Sequence, residues 1–124
     1  MQIRIIWPAG AATATLRSTP TSEALRAALP IRSTANTWGK EVYFRTPISR
    51  PVESDARQVV EPGTVAFWTD GDSLALPFGP TPISRADECR LASPCNLLGI
   101  LDGDPKALAT VRDGDSIRVE LVAD

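Results

Sequence analysis

The sequence predicts a mainly β protein, a closed antiparallel barrel of eight strands with two short helices, on three observations. Short segments rich in aromatic and β-branched residues alternate in polarity, as in Glu41-Val42-Tyr43-Phe44-Arg45, the period of strands packed on one face. Eight Gly and 11 Pro punctuate 124 residues, so few elements have room to run long. A chain this small that forms so many sequential hairpins hides its strand edges only by closing on itself.

The elements follow in order. Residues 2–7 are rich in Ile and end at Trp7, Pro8-Ala9-Gly10 turns, and Ala12 to Leu16 alternates, so a hairpin opens the chain. Thr19-Pro20-Thr21-Ser22-Glu23 offers hydroxyl caps and an early carboxylate, and Ala24, Leu25, Ala28 and Leu29 recur at helical spacing until Pro30. This short helix, apolar on a narrow stripe, is expected across one end of the barrel. Ile31 to Thr37 is read as extended, and Gly39-Lys40 turns into Glu41 to Arg45, whose alternation sends Val42 and Phe44 to one face and Glu41, Tyr43 and Arg45 to the other. Residues 47–61 read as an irregular excursion with a helical turn around Asp55 to Gln58. Val65 to Trp68 and Leu74 to Phe78 form an antiparallel hairpin across Thr69-Asp70-Gly71-Asp72-Ser73, because Asp-Gly accepts the positive φ of tight turns. Residues 80–95 read as a second polar loop, Asn96 to Leu101 as a strand, Pro105 to Thr110 as the second helix, and Ile117 to Val122 as the closing strand. With 31–37 counted the total is eight, and one further strand hidden in a loop is allowed for.

Composition narrows the function classes. One domain, residues 1–124, buries a usable core with no room for a second. A net charge of −2 leaves no basic stripe, which argues against nucleic acid as a partner. No apolar run approaches the roughly 20 residues that span a bilayer, so the chain reads as cytoplasmic, with no membrane partner. Cys89 and Cys95 are the only cysteines and there is no His, so no four-ligand zinc site can be assembled and two free thiols are expected. No metal or other cofactor is expected. Asp70-Gly71-Asp72, Asp102-Gly103-Asp104 and Asp113-Gly114-Asp115 lack the further acidic ligands of a calcium loop and are read as turns. Ser49, Ser73, Ser84 and Thr81 have no His to activate them, so nucleophilic catalysis is not expected.

Asn-Thr-Trp-Gly-x-Glu-Val-Tyr-Phe at 36–44, Gly-x-Val-Ala-Phe-Trp at 63–68, Phe-Gly-Pro-Thr-Pro at 78–82 and Asn-x-x-Gly-x-Leu at 96–101 stand in that order along the chain. Together they resemble a family of small, mostly uncharacterised prokaryotic proteins with a cyclophilin-like fold, over Met1 to about Leu121. The resemblance implies an eight-stranded barrel whose first helix lies between the second and third strands. One departure is Thr64, where the family motif has Asp. A fainter likeness to the cyclophilin peptidyl-prolyl isomerases lies in Gly63 to Ala66 and Leu97 to Ile100. Those enzymes use an arginine to hydrogen-bond the prolyl nitrogen, lowering a rotation barrier of roughly 18–20 kcal/mol, and Tyr43-Phe44-Arg45 is similar to their aromatic-x-Arg strand. Their Phe-Met-x-Gln run is replaced by Ile48-Ser49-Arg50-Pro51, and their far-wall His has no counterpart.

The candidate ligand-binding residues are Glu41, Tyr43 and Arg45 on one strand face, Trp68, which points opposite to Phe67, and Phe78. The competing reading makes Glu41 and Arg45 an exposed same-face pair worth under about 1 kcal/mol and Trp68 a barrel cap. The function expected is a small-molecule or proline-peptide-binding protein without an activated nucleophile. The alternative is an enzyme, either a weak prolyl isomerase using Arg45 or an activity built on Glu41 and Tyr43. A third reading is a homo-oligomer subunit.

Overall fold

The computed structural model describes all 124 residues, Met1 to Asp124. β1 (Gln2–Trp7) and β2 (Gly10–Leu16) form the opening hairpin, with Trp7 opposite Gly10. α1 (Pro20–Ala28) is locked at its start by a reciprocal cap. The Ser22 amide donates to Thr19 Oγ1 at 3.0 Å and the Thr19 amide to Ser22 Oγ at 2.8 Å, meeting two backbone donors that the first turn leaves free. Leu25 anchors the helix in the core.

Residues 31–37 form two strands, β3 (Ile31–Thr34) and β4 (Asn36–Thr37). The break falls at Ala35, whose amide donates to Asp115 O and whose carbonyl accepts from the Gly114 amide, both at 2.8 Å. Then come β5 (Glu41–Arg45), β6 (Arg57–Val60), β7 (Thr64–Trp68), β8 (Ser73–Pro77), β9 (Cys89–Leu101) and β10 (Ser116–Ala123). The helix expected at 105–110 is a 3₁₀ helix, Pro105–Thr110, and another 3₁₀ turn, Thr69–Gly71, lies between β7 and β8.

Every ladder is antiparallel, in the order β3-β10-β1-β2-β9-β7-β8-β5-β4, with β6 beside β9. The expected closed eight-stranded barrel is corrected here: there are ten strands, and no ladder joins the first of the path, β3, to the last, β4. The two are consecutive in the chain with Ala35 between them, so the backbone itself passes from one end of the path to the other. The hidden strand is β6, which replaces the helical turn expected around Asp55 to Gln58, and β9 starts at Cys89, inside what reads as a polar loop.

The main core lies on the inner face of the sheet, where Ile3, Ile5, Phe44, Phe67, Leu74 and Leu98 are wholly buried. A polar hub ties the 47–56 segment to it. Buried Asn96 accepts from the Glu53 amide at 2.7 Å and donates to Thr21 Oγ1 and Pro51 O at 3.0 Å, while the Thr21 amide donates to Glu53 Oε2 at 3.0 Å. The Asp-Gly-Asp corners act as turns and acceptors: Asp72 adopts φ 49°, Asp102 accepts from Gln2, Thr13 and Thr15, Asp104 accepts from the Lys106 amide, and Asp113 from the Thr37 amide. No helix is long and apolar enough to cross a membrane.

Candidate ligand-binding site on the outer face

Alternation along β5 puts Val42 and Phe44 in the main core and Glu41 and Tyr43 on the opposite face. Tyr43 stands opposite Ala75 on β8, and Ala75 opposite Ala66 on β7. Two alanines in one row make a low floor, and large side chains around it leave a hollow. Trp68, two residues beyond Ala66, forms one wall. Its ring needs Gly71 beneath it, because a Cβ there would lie 2.4 Å from the ring carbons. Trp68 Nε1 donates to Ser93 Oγ at 3.1 Å. The Tyr43 and Trp68 rings meet at 86° with centroids 6.0 Å apart, forming a corner.

The opposite wall comes from an irregularity in β9. Two residues' advance along β6, Arg57 to Val59, answers to five along β9, Cys95 back to Arg90. The surplus residues bulge outward around Pro94, which has no ladder donor to lose, and carry Leu91 and Ala92 over the floor. Trp38 arrives from the turn before β5, its amide donating to Glu41 O at 3.0 Å. The result is a cavity of about 170 Å³ lined by Trp38, Glu41, Tyr43, Trp68, Ala75, Leu91, Ala92 and Cys95.

Its electrostatics turn on Glu41, only 6% exposed, with Oε1 buried and without a hydrogen-bond partner. Burial pushes its pKa up to about 7, because an apolar surround disfavours the charged carboxylate. Cys95 donates to Ser93 O at 3.3 Å. Burial, with Glu41 and Asp70 adding to it, pushes the Cys95 thiol up to about 12, and burial raises Cys89 as well. Both cysteines are free and buried, and a thiol held protonated is a poor nucleophile.

Of the sequence-selected residues, Glu41, Tyr43 and Trp68 come together at this cavity, while Arg45 and Phe78 do not. Arg45 lies in the row Arg45–Ser73–Trp68, two strand spacings or about 10 Å from Trp68. It is exposed and borders a different hollow with Arg32 and Pro47. Arg45 also forms no ion pair with Glu41; the ion pairs are Arg17–Asp55, Arg26–Asp124, Arg90–Glu88 and Arg118–Glu120. Phe78 donates its amide to Lys40 O at 2.8 Å and packs its ring on the main core. Trp38, Ala75, Leu91, Ala92 and Cys95 are additions from the structure. Trp38, three residues before Glu41 in a Gly turn, left a readable trace; the β9 residues lay behind the apparent loop. A larger hollow, about 290 Å³ beside Arg32 and Arg118, leaves no buried polar atom without a partner, and Arg118 there is held by Glu120 at 2.9 Å.

The fold and this cavity define a small, mainly β antiparallel protein with its candidate site outside the sheet. The chain belongs to the Cyclophilin-like family, whose profile matches residues 1–120. It is similar to the hypothetical protein AF2241 from Archaeoglobus fulgidus, whose solution structure superposes with a TM-score of 0.83 at 38% identity, covering 97% of this chain and 93% of that one. No curated protein matches the chain.

Proposed function

We propose that this chain is a small-molecule- or peptide-binding protein that uses the outer-face cavity and works without an activated nucleophile. The observation that carries this reading is Glu41, a buried carboxyl on the wall of an aromatic hollow whose Oε1 has no hydrogen-bond partner. An unpartnered buried carboxylate costs stability, and a ligand that donates to it offsets that cost. The test is a thermal-shift screen of metabolites and proline-containing peptides against wild type and Ala75→Leu, which fills the floor of the cavity. A ligand that raises the wild-type melting temperature and leaves a folded Ala75→Leu unmoved supports the reading. Equal shifts in both proteins, or none in the whole set, counts against it.

One observation favours an enzyme as the second reading: a carboxyl group with a pKa of about 7 is matched to proton transfer near neutrality. Conversion of a bound ligand by wild type, lost in Glu41→Gln, would support it. The version based on prolyl isomerisation by Arg45 lacks an apolar pocket beside that side chain. A coupled proline-isomerisation assay is expected to read the same for wild type, Arg45→Ala and buffer.

A further inference from the structure

We propose that the outer-face cavity selects an organic cation, with an alkylated ammonium group seated in the Tyr43–Trp68 corner, beside Trp38 and against Glu41. This rests on reading the cavity as a ligand site and names the chemistry of its ligand. Three of the eight lining residues are aromatic rings, one is a carboxylate, and none is basic. Ring faces carry negative quadrupole charge and attract cations, most strongly when water is excluded. Of the other polar groups at the site, Trp68 Nε1 and Cys95 Sγ already donate to Ser93. Glu41 Oε1 is left as a buried acceptor without a donor.

The other ligand classes fit less well. An anion would meet Glu41 with no compensating Lys or Arg on the walls. A hard metal ion needs six or more oxygen ligands, and the cavity offers one carboxylate. A neutral apolar group would leave the carboxylate as unmet as before. The volume, about 170 Å³, equals roughly six waters at about 30 Å³ each, which suits a head group, and exposed Ala92 at the wall leaves its substituent a way out.

The titratable groups packed around Glu41 add no positive charge. Tyr43 shares its strand, and Cys95 and Cys89 approach from β9, themselves influenced by Asp70 and Glu61. Neighbouring Lys40 lays its methylenes along Gly79. A bound cation would favour ionised Glu41, so affinity should rise with pH as the carboxyl loses its proton.

The experiment titrates wild type with (2-hydroxyethyl)trimethylammonium and with its neutral isostere, 3,3-dimethylbutan-1-ol, following the Trp38 and Trp68 indole N–H signals by NMR. Wild type at about pH 8 is expected to prefer the cation by about tenfold or more. That preference should weaken at about pH 5.5 and vanish in Glu41→Gln, while the neutral isostere binds both proteins alike. Equal affinities for the two probes in wild type would overturn the cation assignment and leave the cavity as a ligand site. Indole signals that move with neither probe would overturn it too, and the Ala75→Leu screen then decides the broader reading separately. A preference for the cation that survives in Glu41→Gln and at Ala75→Leu would place its binding elsewhere and equally overturn the assignment.

Discussion

The inner and outer faces of β5, β7, β8 and β9 are made by the same strands and differ in what they leave undone. On the inner face Phe44, Phe67, Leu74 and Leu98 are wholly buried in one apolar cluster of 20 residues, so the chain fills that space with its own side chains. Across the sheet a smaller cluster, Ala66, Ala75, Leu91 and Cys95, with Tyr43 and Trp68 packed against it, stops short of filling its space and encloses a carboxylate without a partner. Close packing is where stability comes from; a cavity lined by an unmet charge is where a fold gives up stability and keeps the capacity to bind. Each residue step along β5 crosses from one regime to the other.

The largest effect expected is Phe44→Ala, which should lose about 3–5 kcal/mol in denaturant unfolding because it opens a void in a dense core. Tyr43→Ala, one residue away but only half-buried, should lose about 1–2 kcal/mol. Equal losses would mean that the two faces form one core.

Two buried polar groups sharpen the same contrast. Asn96 bonds to Glu53, Thr21 and Pro51, so Asn96→Ala should cost about 2–3 kcal/mol by stranding those partners. Glu41→Gln strands nothing on the Oε1 side and should leave stability at neutral pH unchanged or higher. A large loss there would reveal a structural partner for the carboxylate.

The pH dependence follows from the direction of the Glu41 shift. Its pKa rises from 4.5 to about 7 on folding, so between those values the folded state holds more protons than the unfolded one, and stability falls as pH rises. The contribution is fully present below 4.5 and lost above about 7, a change of about 3 kcal/mol. Unfolding free energies of wild type relative to Glu41→Gln, measured across that window, should trace this decline; a flat difference would refute it. The smallest effect belongs to Arg45→Ala, expected within about 0.5 kcal/mol and without influence on ligand affinity.

Much of this contrast was legible in the residues. The alternation of Glu41 to Arg45 put Glu41 and Tyr43 on one face, and the alternation of Phe67 and Trp68 turned Trp68 away from Phe67, because strand period is a local property. The far wall was not legible. Ser93-Pro94 reads as loop punctuation, whereas a bulge lets Pro94 sit within β9, and only pairing with β6 reveals that. Arg45 shares the face of Glu41, yet face does not specify position along it, and the strand end left Arg45 in solvent. The split at Ala35 depends on a turn some 80 residues later, and the Asn96 side chain joins a backbone amide 43 residues away to a side chain 75 residues away; neither leaves a local pattern.

The most direct test is a ¹³C NMR titration of the Glu41 side-chain carboxyl in the ligand-free protein, assigned by its disappearance in Glu41→Gln. A midpoint near 7 is the result this account predicts. A midpoint near the ordinary value of 4.5 would show a solvated or partnered carboxylate and would contradict the reading of the outer face as a site waiting for its ligand.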